Sequence, residues 1–133
     1  MVATILVIDD EESIRFTFER FLSAEGYRVL TAGSYREALE RIEIDGIDLI
    51  FADIILPDGT GVDLLKEIQT RKPGCPMILM TAYPSSGTKT DLLHLGAFDY
   101  VSKPVRQDSV LGFVNLALKG GKVAQGGWGT SGS

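Results

Sequence analysis

The sequence predicts an α/β fold: five consecutive β/α units, (βα)5, forming one domain around a single doubly wound parallel five-stranded sheet. Three observations predict it. Short apolar runs alternate with amphipathic stretches between residues 4 and 118. The longer runs are apolar at successive positions rather than at every second one, as strands buried on both faces require. Polar residues gather just past the C-terminal ends of the runs, the edge on which open α/β sheets bind ligands. A chain of 133 residues has room for one such domain.

Taken in order, Thr4-Ile5-Leu6-Val7-Ile8 is the first strand. Ile14, Phe18, Phe21 and Leu22 then recur at helical spacing, and Gly26 supplies a stop. Arg28-Val29-Leu30-Thr31-Ala32 is the second strand. Ser34-Tyr35-Arg36-Glu37 is a capping-box pattern, opening a helix through Ala38, Leu39 and Ile42 that stops before Gly46. Leu49-Ile50-Phe51-Ala52 is the third strand and ends on Asp53. A loop with Pro57, Gly59 and Gly61 leads into a helix carrying Val62, Leu65 and Ile68.

Met77-Ile78-Leu79-Met80 is the fourth strand and ends on Thr81. The next helix is expected around Thr90–Leu95, its start delayed by Pro84 and Gly87 and its end set by Gly96. Tyr100-Val101 is a short fifth strand, and Gln107 to Leu118 is the last helix. Right-handed crossovers place the helices on both faces of the sheet. No internal repeat is visible.

Composition narrows the function classes. With 44% hydrophobic and 23% charged residues, collagen-like, coiled-coil and wholly disordered chains are excluded. The formal net charge is −5, but residues 1–118 hold all 18 acids and 11 of the 13 bases, a net of −7. Nucleic-acid binding wants the opposite balance, so no direct DNA or RNA contact is expected. The one cysteine, Cys75, forms no intramolecular disulfide and is expected as a small buried residue at the foot of a strand. Neither a signal peptide nor an apolar membrane span is present, which points to a cytoplasmic protein. Residues 120–133 hold six of the 15 glycines and no apolar periodicity. They are expected to be a flexible Gly-rich linker or an expression remainder, with Trp128 a solvated tail residue.

Asp9 and Asp10 follow the first strand, Asp53 the third and Thr81 the fourth; Lys103 lies just past the fifth, before Pro104. In a parallel sheet all five fall on one edge. Three acids held together repel unless a cation neutralises them. An all-oxygen cluster suits Mg²⁺, a hard ion usually held by one or two carboxylates while keeping several waters. With that charge neutralised, a phosphoryl group can approach a carboxylate, which can act as a nucleophile and form an acyl phosphate. Lys103 can offer a point charge to one phosphoryl oxygen and Thr81 a hydroxyl to another. Other polar residues nearby have simpler accounts. Asp58 and Asp63 suit a helix N-terminus electrostatically, and His94 is expected on the surface without a partner.

The motifs Ile8-Asp9-Asp10, Asp53 with Pro57, Thr81-Ala82 and Tyr100-Val101-Ser102-Lys103-Pro104 resemble those of the receiver domain of two-component response regulators, from residue 4 to about 118. The resemblance implies a receiver over residues 1–119 with the flavodoxin-like strand order 2-1-3-4-5. It implies that Asp53 is the phosphoacceptor, that Asp10 ligates Mg²⁺ directly and Asp9 through water, and that the backbone carbonyl of Ile55 completes the metal site. Lys103 would pair with the phosphoryl group, and the Lys103–Pro104 peptide would be cis. Thr81 and Tyr100 would form the switch pair, with Tyr100 turning inward behind Thr81.

The implied activity is signalling rather than metabolic catalysis. Such domains catalyse their own phosphorylation from a sensor histidine kinase, and their own dephosphorylation. An effector domain or partner in a longer native chain, or a homodimer formed on phosphorylation, would carry the output; no membrane contact is implied. Ile55 and Tyr83 stand where such domains tune dephosphorylation, and their bulk predicts a long-lived phosphoryl state. Rival chemistries leave no trace. G-x-x-x-x-G-K-[ST] is absent. So is the Asp-x-Asp of phosphatases resembling the haloacid dehalogenase family. A degenerate receiver would lack some of the motif residues, and all are present.

Overall fold

The computed structural model describes residues 2–44 and 46–120. Residues 121–133, on which the tail expectation and Trp128 fall, lie outside the described residues. The chain runs β1 (Thr4–Ile8), α1 (Glu12–Ala24), β2 (Arg28–Ala32), α2 (Tyr35–Ile44), β3 (Leu49–Asp53), β4 (Ile55–Leu56), β5 (Gly59–Thr60), α3 (Gly61–Arg71), β6 (Met77–Thr81), α4 (Ser86–His94), β7 (Asp99–Ser102) and α5 (Gln107–Asn115). A single π-helical turn, Leu116–Gly120, follows α5.

Five strands form one parallel sheet in the order β2-β1-β3-β6-β7. Counting only sheet strands, that is the predicted order 2-1-3-4-5. β4 and β5 pair antiparallel as a separate small hairpin in the loop after β3, which the sequence reading did not separate from that loop.

The unbroken apolar runs have a direct cause. Alternate residues of each central strand enter cores on opposite faces. Leu6, Ile8, Ile50, Ala52 and Leu79 pack with Ala38 and Ile42 of α2, Leu64, Leu65 and Ile68 of α3, and Leu92 of α4. Ile5, Val7, Leu49, Phe51, Ile78 and Met80 pack with Phe18 and Leu22 of α1 and Val110 and Val114 of α5. Phe18 meets Phe51 edge-on, with ring centroids 5.3 Å apart. Each fully buried aliphatic side chain contributes about 1.5–3 kcal/mol. β1, β3 and β6, buried throughout, therefore make a rigid floor for whatever stands at their ends.

β7 is one residue longer at each end than Tyr100-Val101, and two helix boundaries differ by more. α4 begins at Ser86, several residues before Thr90, because Ser85 caps it: the Ser85 Oγ accepts the Thr88 N–H at 3.1 Å. Gly87 lies inside the first turn and is tolerated there. α5 stops at Asn115, three residues short of Leu118, where the backbone relaxes into the π turn. The helix stops read from Gly26 and Gly96 hold, with φ of +92° and +107°. Cys75 is half-buried rather than buried, with Sγ 3.5 Å from the Ile47 carbonyl oxygen, and burial pushes its thiol up to about 11. His94 is exposed. Among the described residues no helix is long and apolar enough to cross a membrane.

Candidate functional site

β1 and β3 are adjacent, so their C-terminal ends deliver Asp9, Asp10 and Asp53 to one spot. One oxygen from each carboxylate lies within 4.8 Å of the others. Their environments differ. Asp9 is fully buried, Asp53 nearly so and Asp10 exposed. The backbone fixes Asp9 closely: its N–H donates to the Ala32 carbonyl at 3.0 Å, and its Oδ1 accepts the Glu11 N–H at 2.9 Å. Asp53 Oδ1 accepts the Ile55 N–H at 3.1 Å, turning the carboxylate back over the strand end.

β7 brings in the counter-charge. Lys103 N–H donates to the Thr81 carbonyl at 2.7 Å, and the Lys103–Pro104 peptide is cis. The Lys103 Nζ stands 2.7 Å from both Asp9 Oδ2 and Asp53 Oδ2, and 3.7 Å from Glu11 Oε1. Its hydrogen bond is aligned on Asp53; the contact with Asp9 is an ion pair that leaves the buried Oδ2 without an aligned donor. Burial alone would lower the Lys103 ammonium, but its close contacts with Asp53 and Asp9, with both carboxylate charges, outweigh it and hold the group above its ordinary value. Burial pushes the Asp9 carboxyl up, Asp53 adds to that, and Lys103 and the Glu11 N–H offset only part of it.

One ammonium thus stands against Asp9 and Asp53, with a third carboxylate, Asp10, close beside them. That donor set, all oxygen and under-neutralised, fits a hard divalent cation.

Thr81 and Tyr100 sit on the neighbouring strands. Ile54 N–H donates to the Met80 carbonyl at 2.9 Å, which sets Thr81 beside the Asp53 end of β3. The Thr81 Oγ1 accepts the Tyr83 N–H at 3.0 Å. Tyr100 pairs with Leu79 in the sheet, is buried, and accepts the Ser85 N–H on its hydroxyl at 3.2 Å. Among the described residues no hydrogen bond joins Thr81 or Tyr100 to the carboxylates. The Ile55 side chain is exposed and so is Tyr83.

Sequence reasoning missed two participants. Glu11 both donates its N–H to Asp9 and approaches Lys103; the signal was an Asp two residues ahead of the helix N-cap, a common turn-forming pattern. Gly61 lies beneath Asp53: a Cβ there would stand 2.7 Å from the Asp53 carbonyl oxygen and 2.9 Å from Ile54 Cα. Asp58, read as an acid for the helix that follows it, serves α2 instead. Its two oxygens accept the Tyr35 and Arg36 N–H groups at 2.7 and 3.0 Å, and these bonds hold its carboxyl below the usual range. Asp63 does sit in the first turn of α3, behind the Thr60 cap.

The sequence model of the response regulator receiver domain matches residues 5–115. The chain belongs to that family. It is a receiver domain of the two-component type, a phosphorylation-dependent signalling domain. It is 37% identical over 114 residues to the transcriptional regulatory protein ZraR of Escherichia coli (strain K12), covering 86% of this chain and 26% of that one. The receiver thus spans about a quarter of that relative's length. A CheY-like receiver structure from Methanospirillum hungatei JF-1 superposes with a TM-score of 0.87 at 31% identity, covering 93% of this chain and 99% of that one. The beryllofluoride-activated NtrC4 receiver domain, solved as a dimer, gives 0.83 at 32% identity over 87% of this chain and 96% of that one.

Proposed function

We propose that this receiver accepts a phosphoryl group from a sensor histidine kinase onto Asp53 and switches through Thr81 and Tyr100. The observation that carries this is a single ammonium, Lys103, 2.7 Å from two of three converging carboxylates. Such a pocket suits a dianionic group whose charge arrives with its own counter-ion.

An oxygen of Asp53 attacks phosphorus, the bond from phosphorus to the donor imidazole nitrogen breaks, and that nitrogen keeps the electron pair. Lys103 exchanges its Asp53 partner for a phosphoryl oxygen, keeping its charge in place. Mg²⁺, held by Asp9, Asp10, Asp53 and the Ile55 carbonyl, would neutralise charge as phosphate and carboxylate meet. Thr81 accepts from the Tyr83 N–H and keeps its own hydroxyl proton to offer a phosphoryl oxygen. Its shift toward Asp53 pulls on the 81–85 loop, and Tyr100, bonded to Ser85, carries that movement to β7.

Water attack on the acyl phosphate reverses the modification, so the domain catalyses both steps on itself. Ile55 and Tyr83, 62% and 81% exposed, are bulky, and Ile55 has no polar atom with which to orient that water. A relatively long-lived phosphoryl state follows. Output would pass to an effector on a longer chain or to a partner, with a phosphorylation-dependent homodimer as one form, as the NtrC4 receiver dimer suggests. A kinase partner places this action in the cytoplasm.

The test is intact-mass spectrometry after incubation with Mg²⁺ and acetyl phosphate, beside NMR with beryllofluoride. Wild type should gain one phosphoryl and shift the amides of Thr81 to Ser85, whereas Asp53→Asn should do neither. An unmodified wild type with unchanged spectra would overturn the proposal, and decay within seconds would overturn the long lifetime.

A further inference from the structure

Asp10 is the loosest of the three carboxylates. It is exposed, and among the described residues no side-chain hydrogen bond fixes it. Something must nonetheless aim it beside Asp9 and Asp53. The peptide linking Asp9 to Asp10 is the lever, because its orientation sets the direction in which Asp10 leaves the backbone. The oxygen of that peptide is the Asp9 carbonyl, and it accepts a hydrogen bond from the Arg15 Nη1 at 2.6 Å.

Arg15 is the fourth residue of α1, at the close of its first turn, and reaches back over the loop. Glu37 lies near enough that both it and the guanidinium border Gly33, yet no ion pair between them forms among the described residues. The guanidinium is committed to a carbonyl instead. Gly33 makes the room: a Cβ there would come within 3.1 Å of Nη1 and 3.4 Å of Cζ. Gly33 is itself held by its N–H to Glu37 Oε1 at 2.6 Å. The guanidinium is therefore seated between two loops, with one short charge-assisted bond to the peptide between the two acids.

We infer that Arg15 is a positioning residue for the cation site, clamping the Asp9–Asp10 peptide so that both carboxylates face one ion. This rests on the Mg²⁺ site proposed above. Partners that orient metal ligands without touching the metal typically contribute 10- to 100-fold in affinity. A bare through-space role would act with the opposite sign, since removing a nearby cation should tighten cation binding.

The experiment is an NMR titration of Mg²⁺ alone, following the Asp10 and Glu11 amides, with thermal unfolding in EDTA alongside. Arg15→Ala should raise the Mg²⁺ Kd about 10-fold, and Arg15→Lys, which can still reach a carbonyl with a charged donor, should recover most of it. Gly33→Ala, which crowds the guanidinium without changing charge, should raise Kd about 3-fold. Gly96→Ala, destabilised at the far end of α4, should leave Kd unchanged and so separates positioning from stability. If wild type binds no Mg²⁺, the metal site itself fails. If wild type binds and Arg15→Ala binds as well or better, or Lys fails to rescue, the positioning role fails and the metal site stands.

Discussion

Gly61 shows how little room lies beneath Asp53. Its N–H donates to the Ile54 carbonyl at 2.6 Å, closing the loop as α3 begins. A methyl group there would press on the Asp53 carbonyl oxygen, Ile54 Cα and Leu79 Cδ2, each within 2.9 Å. Two of those three are backbone atoms that cannot swing aside, so the constraint is steric rather than one of φ. Overpacking at such a point costs about 1–3 kcal/mol. Gly61→Ala should therefore lower the unfolding free energy by that amount, read as a lower urea midpoint at unchanged slope, and displace the Asp53 to Ile55 amides in NMR spectra. A midpoint within error of wild type would show that the loop gives way.

At the scale of elements, the 55–60 hairpin is a brace between two helices. Its Asp58 caps α2 from 22 residues away, and Gly59 clears space for the Tyr35 ring. Removing the carboxylate with Asp58→Ala should speed hydrogen exchange at Tyr35 and Arg36 while leaving α3 amides protected; equal protection in both proteins would mean that the cap is dispensable. Because its folded value is depressed, the contribution of Asp58 is present above the ordinary carboxylate range and fades as pH falls through that lowered value. This cap also marks where sequence reading ends. The strands were legible because burial on both faces writes an unbroken apolar run, their order in the sheet came from the family resemblance, and the positions of Asp9, Asp53, Thr81 and Lys103 were legible because a parallel sheet sends every strand end to one edge. What depends on a loop's path was not. Asp58 has two helix starts within reach in the chain and only the fold selects one, and the α4 start turned on a local Ser85 cap outweighing Gly87.

For the whole molecule, the acidic surplus is concentrated where it matters most. Asp9 and Asp53 share one lysine and Asp10 stands beside them, so the cluster carries unbalanced repulsion at the edge of strands buried throughout. Asp10 has the least to lose: it is exposed and anchored only through its peptide, so neutralising it relieves repulsion without stranding a buried partner. Asp10→Asn should accordingly melt no lower than wild type in EDTA. Mg²⁺ at ten times its Kd should stabilise wild type by about 1.4 kcal/mol through mass action, and the variant by much less. Sodium chloride at matched ionic strength should not substitute, because Asp9 is buried and bulk salt screens buried charge poorly. Calorimetric scans of both proteins in EDTA, in Mg²⁺ and in matched salt decide the matter. A Mg²⁺ increment that survives Asp10→Asn, or one reproduced by salt, would mean that the cation acts on the surface at large rather than at the carboxylate cluster.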